Sequence, residues 1–181
     1  MRLTRLSPVL VVGLALFACR SVHVHVDYDP EEDFSGYQRF AWYPGSADQS
    51  GNLAVQNPLI DARVRQAVER TLTEKGFEKA GPGSADFYVA YHLSVESRLD
   101  TYTVDRYYGR YGWTMSIPET RVDQYEEGTL VIDVADARDR ELVWRGTGTR
   151  RIERSPTPEE TTQNVDRAVA EILDSFPPGP R

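Results

Sequence analysis

The residues of this 181-residue chain that could do chemistry are few: one cysteine, three histidines and a run of carboxylates. In VHVHVDY, Val22 to Tyr28, strict alternation puts His23 and His25 on one side of an extended segment. Two imidazoles so placed could begin a zinc or copper site, and His92 is the only further histidine that could complete it. That would require the two strands to be neighbours. The more ordinary reading of His23 and His25 is a pair of solvent-facing side chains, and no metal is expected. Asp27, Asp29, Glu31, Glu32 and Asp33 follow. A calcium loop starting at Asp27 would need glycine at its sixth place and glutamate at its twelfth, where Glu32 and Gln38 stand. A solvated acidic turn is the better account.

Catalysis finds little support. The G-x-S-x-G elbow of serine hydrolases is absent, and Gly81-Pro82-Gly83-Ser84 reads as a loop. Paired carboxylates for glycoside chemistry are spaced in three dimensions, not along the chain. The expectation is therefore a protein that is not an enzyme and carries no cofactor. The richest candidate contact surface is YYGRYGW, where Tyr107, Tyr108, Tyr111 and Trp113 interleave with Arg110. Such rings could stack on sugar or peptide or anchor a protein partner, although aromatics are also ordinary strand formers.

Cys19 stands at the end of a leader. Arg2 and Arg5 precede an uncharged run from Pro8 to Ala18, which is the layout of a secretory signal and is too short to span a membrane as a helix. Leu16-Phe17-Ala18-Cys19 resembles the bacterial lipobox, with cleavage between Ala18 and Cys19 and acylation of the cysteine; Phe17 is bulkier than the usual occupant of its place. The expected organisation is a signal peptide over 1–18 and one periplasmic domain over 19–181. The membrane is its first partner, through N-terminal acyl chains, because two or more chains hold firmly where one does not. Arg20 is not the aspartate of an inner-membrane retention signal, so the expected location is the outer membrane, facing the periplasm. Loss of Arg2 and Arg5 moves the net charge from −7 to about −9. Nucleic acid is excluded as a partner, since it demands clustered Lys and Arg.

The elements that must position these residues are legible from period and punctuation. VHVHVDY and RFAWY, Arg39 to Tyr43, read as strands. Asn57 and Pro58 open a helix over 58–75, with Ile60, Val64, Ala67, Val68 and Leu72 on one face and Gly76 as its stop. Asp86 to Ser97, Thr129 to Asp136 and Glu141 to Arg150 are three more strands, the last two forming a hairpin around Ala137 to Arg140. Thr157, Pro158 and Glu160 form the capping box of a second helix, whose stripe is Val165, Ala168, Val169, Ile172, Leu173 and Phe176. The predicted fold is α+β in the order β-β-α-β-β-β-α: a mostly antiparallel sheet of about five strands with two amphipathic helices on one face. Residues 98–128 fit this scheme least; they hold Tyr102, Tyr107, Tyr108, Tyr111 and Tyr125, half of the ten tyrosines, without a steady period, and the segment allows either a long loop or extra strand with GRYG, Gly109 to Gly112, as a turn.

The ordered phrases DYDPEEDFSGYQRFAW, NPLIDARVRQAVERTLTEKGF, ADFYVAYH, YEEGTLVIDVADARDRELVWRG and AVAEILDSFPP span nearly the whole chain after the leader. They resemble the bacterial lipoprotein family known as domain of unknown function 4136. That resemblance implies an exported, lipid-anchored α+β domain and implies no activity or site residues. The functional expectation is a non-catalytic membrane-anchored lipoprotein that binds an envelope protein or a cell-wall polymer such as peptidoglycan. A metal- or small-ligand-binding module and an envelope hydrolase with an unrecognised site are the alternatives.

Overall fold

The computed structural model describes residues 22–44, 57–110, 113–152 and 155–179, with side chains left out over 104–110 and 113–119. In chain order the elements are β1 (His23–Tyr28), a 3₁₀ turn (Phe34–Gly36), β2 (Arg39–Trp42), α1 (Pro58–Glu74), β3 (Glu78–Lys79), β4 (Phe87–Arg110), β5 (Trp113–Asp136), β6 (Leu142–Ile152) and α2 (Pro158–Leu173). The six strands form one sheet in the order β1-β6-β5-β4-β2-β3.

The fold is α+β, but the sheet is mixed, which corrects the expectation of a mostly antiparallel one. β1-β6, β6-β5 and β5-β4 pair antiparallel, whereas β2 pairs parallel with both β4 and β3. The cause is connectivity. A helix between two strands carries the chain back to its starting end, so β2 and β4, flanking α1, must run the same way. The element order also gains a strand: β3 has two residues, too few to display a period.

Both helices begin where the caps dictate. The Asn57 side chain accepts from the Leu59 amide at 2.9 Å, with Pro58 in the first turn. Thr157 accepts from the Glu160 amide at 3.2 Å, and Glu160 accepts in return from the Thr157 amide at 2.8 Å. At the end of α1, Gly76 takes a φ of 96°, the left-handed conformation that a side chain would resist.

The apolar stripes of the two helices share one core with the sheet. Val64, Ala67, Val68 and Leu72 of α1 and Ala168, Val169, Ile172 and Leu173 of α2 join Phe40, Phe87, Val89, Ile132, Val134 and Trp144. Each large side chain fully withdrawn from water contributes about 1.5–3 kcal/mol. The core's aromatic residues crowd toward one end, where Phe87 lies within ring contact of Tyr37, Phe40, Phe77 and Phe176. Two further ties hold that end. The Asp86 carboxylate accepts from the amides of Gln38 and Arg39, fixing the start of β2 beside the start of β4. Tyr37 and Asp136 join the 3₁₀ turn to the end of β5.

Candidate functional site

At the other end of the core the helices stand over a floor that lacks bulk. β5 and β6 present Gly128 and Gly148 there, and a cavity of about 360 Å³ opens between them and the first turns of both helices. Its walls are Val22, Ile60, Val64, Leu93, Val95, Leu130, Ile152, Val165 and Ala168; Asn57, Glu126, Arg150, Thr161 and Asn164 supply the polar groups. Side-chain ends overhang both glycines closely enough that a Cβ would force them to shift. A Cβ on Gly128 would lie 2.8 Å from Ile152 Cδ1, and one on Gly148 would lie 2.7 Å from Ile172 Cδ1 and 3.0 Å from Val22 Cγ1. Arg150 Nη1 donates to Asn164 Oδ1 at 2.8 Å, tying β6 to α2 across the polar side. A concave, mostly apolar space with a few polar groups is the usual form of a small-ligand site, and this one lies within the usual size range.

None of these residues was a sequence candidate. A signal was present in Gly128, Gly146 and Gly148, since glycine inside a strand marks a close approach by another group. Periodicity cannot say whether that approach fills the space or leaves a cavity.

The sheet face away from the helices is polar. Asp133 of β5 is buried and receives both Nε and Nη2 of Arg145, at 2.6 and 2.7 Å. His92 Nε2 lies 3.7 Å from the same carboxylate. Tyr43, Tyr88, Ala90 and Arg140 complete a shallow depression of about 260 Å³ around them. The bidentate pair holds both oxygens of Asp133 in place, a geometry that positions a guanidinium rather than leaving a free base.

His23 and His25 lie exposed on β1, at the sheet edge. The registers place His92, Val131, Thr147 and His25 on one rung. Three strand spacings of roughly 4.8 Å separate the two histidines on it, about 14 Å in all. The adjacency a shared metal site required does not occur, and among the described residues no group of three or more His, Cys, Asp or Glu could hold an ion.

Three carboxylates of the acidic run bond other groups of this chain. Asp29 accepts from the Glu31 amide and Asp33 from the Ser35 amide. Glu32 accepts from Arg138 at 3.2 Å and shares with Asp136 the single proton of the Tyr37 hydroxyl, 3.1 Å away. Asp136 beside them is held below the usual carboxylate range by the Arg138 guanidinium, against the opposing effect of burial and with help from the Tyr37 hydroxyl. The Tyr37 phenol is pushed well above its usual value, first by burial and then by its bond to Asp136.

Cys19 and Ala18 lie outside the described residues, as does Tyr111. Tyr107 and Tyr108 fall on β4 and Trp113 on β5, with side chains outside the description. Their segment is the extra strand that the sequence allowed rather than a long loop: β4 and β5 pair without interruption from Phe87↔Asp136 to Arg110↔Trp113.

This sheet with two helices on one face, and a glycine-floored cavity between the layers, is an α+β domain of a recognised kind. The chain belongs to the family of domain of unknown function 4136 (DUF4136), whose model matches residues 24–178. No curated protein matches it. Among solved structures, a PDZ domain protein from Parabacteroides distasonis is similar at 12% identity with a TM-score of 0.56, over 87% of this chain and 36% of that one. The chain thus spans about a third of that protein's length, and the likeness is one of fold. The PelC dodecamer from Paraburkholderia phytofirmans aligns at 15% identity with a TM-score of 0.46, over 84% of this chain and 96% of that one.

Proposed function

We propose that this is a lipid-anchored, non-catalytic binding protein of the bacterial outer membrane whose periplasmic domain takes the apolar chain of an amphiphile between its helices and its sheet. The observation that carries the binding role is the cavity floored by Gly128 and Gly148, apolar in its walls and polar where Asn57, Arg150 and Asn164 stand. An aliphatic chain would leave water for the walls, at about 0.8 kcal/mol per methylene, while its head group meets the polar residues. The anchoring role rests on Cys19 behind an apolar leader. The non-catalytic reading rests on the polar face, where the Asp133 carboxylate is bound to Arg145 rather than free to act as a base. Tyr107, Tyr108, Tyr111 and Trp113 are the proposed contact to an envelope protein or to peptidoglycan.

The binding reading is tested with the full-length chain and a fluorescent fatty acid such as 11-dansylaminoundecanoic acid. Saturable enhancement, competed by palmitate and lost in a folded Val165→Trp variant, is expected. Absence of saturable binding, or equal binding by the variant, overturns it. Anchoring is tested by labelled palmitate in cells: incorporation into the native chain and none into Cys19→Ala is expected, and an unlabelled native chain overturns it.

A further inference from the structure

Val22, the first residue before β1, lies in the wall of the cavity and is 7% exposed. Its amide donates to Glu171 Oε2 of α2 at 3.1 Å. That bond fixes where the preceding residues leave the fold: beside α2 and the end of β6, whose Arg150 and Ile152 belong to the same wall. From Val22 back to Cys19 is three residues, a reach of at most about 11 Å. An acyl chain attached at Cys19 therefore starts within reach of the cavity.

The apolar floor also continues past the cavity. Leu93 and Val95 of β4 share one sheet face with Gly128 and Leu130 of β5. The period of two carries that face on to Leu99 and Val122, which are 67% and 59% exposed. Two large apolar side chains thus stand in water on the continuation of the floor. An aliphatic chain longer than the cavity would cover them.

We propose that the resting occupant of the cavity is an acyl chain carried by Cys19 of the same molecule, and that a free amphiphile displaces it toward the membrane. The inference rests on the cavity and the anchor of the reading above, and it names what fills the cavity first. A tether of three residues presents its chain at a local concentration of about millimolar or more, which a dilute free amphiphile does not match. Methylenes leave water equally well in a protein cavity and in a bilayer. The exchange is therefore close to balance, and a ligand that fills the cavity shifts it. Each chain so released joins those already in the bilayer, so ligand binding tightens membrane attachment.

The test uses the full-length chain from cells fed a palmitate analogue that carries a diazirine and an alkyne. The purified chain is placed in vesicles of phosphatidylethanolamine and phosphatidylglycerol and irradiated, and the monomer is digested for mass spectrometry. The Cys19 peptide is expected to be cross-linked to the peptides bearing Val165 or Ile152. The yield is expected to fall at least fivefold with excess palmitate and in Val165→Trp. Palmitate acts on the native chain, so that arm does not depend on how the variant folds. Binding of the dansyl fatty acid by Cys19→Ala is measured in parallel. A labelled Cys19 whose chain cross-links only to phospholipid, or a cavity cross-link that palmitate leaves unchanged, overturns this inference alone when Cys19→Ala binds the fatty acid. An unlabelled Cys19 overturns the anchor, and a Cys19→Ala chain that binds no fatty acid overturns the cavity reading; either result takes this inference with it.

Discussion

The Tyr37 hydroxyl donates to the Asp136 carboxylate at 3.0 Å, joining the turn after β1 to the end of β5 across 99 residues of chain. Asp136 is 1% exposed and also accepts from Arg138, at its amide, Nε and Nη2. Buried hydrogen bonds to a charged group contribute roughly 1.5–3 kcal/mol, and a buried carboxylate left short of donors is costly. Tyr37→Phe is therefore expected to lower unfolding free energy by about 1.5 kcal/mol and Asp136→Asn by about 2 kcal/mol. Urea denaturation of the three proteins measures both.

The same carboxylate sets an acid limit. Arg138, foremost, lowers the folded-state pKa of Asp136 below its ordinary 3.8. Between the lowered value and 3.8 the unfolded chain binds more protons than the folded one, so the contribution is complete above 3.8 and fades as pH falls through the folded value. Asp86, lowered chiefly by Arg39, acts in the same direction. The stability gap between native chain and Asp136→Asn is expected to be constant from pH 5 to 7 and to narrow below about pH 3.8. A gap that widens in acid contradicts this assignment.

Gly148 and Ile172 are coupled by contact. A Cβ at 148 would sit 2.7 Å from Ile172 Cδ1 and 2.8 Å from Cγ1. Overpacking of this kind costs about 1–3 kcal/mol, and Ile172→Ala alone about 2–5 kcal/mol. Gly148→Ala combined with Ile172→Ala is expected to cost less than the sum of the two by at least 1 kcal/mol, because the new methyl enters the vacated space. A double-mutant cycle by thermal or urea unfolding reads the coupling directly.

The Thr157–Glu160 capping box ties cavity shape to helix stability. Thr157→Ala removes the acceptor for the Glu160 amide and is expected to cost about 1 kcal/mol, whereas Thr157→Ser retains most of it. Thr161, Asn164 and Val165, in the turns that follow, line the cavity. The alanine variant is therefore also expected to bind the fluorescent fatty acid more weakly at unchanged temperature, and the serine variant to bind it normally.

Much of this architecture is written locally. Asn57-Pro58, Gly76 and Thr157-Pro158-x-Glu160 act within a few residues of themselves, so both helices begin as read, and α1 ends within a residue of its predicted stop. The β5–β6 hairpin is equally local, its turn closing with Arg140 at a φ of 68°. Residues 98–128 show no steady period because alternation records burial of one face, and Glu96 to Thr103 and Thr120 to Gln124 are exposed throughout; only the glycines of GRYG marked the turn between extra strands there. The parallel pairing of β2 with β4 depends on where a helix returns the chain, and a two-residue β3 on what it meets. The sequence by itself determined both helices, the positions of five of the six strands, the family and the candidacy of Cys19. Tertiary structure alone decided that His25 and His92 stand three strands apart, that Glu32 of the acidic run meets Arg138 of the β5–β6 turn, and that two glycines floor a cavity. Those outcomes are distances between residues remote in sequence, which packing sets and no local period encodes.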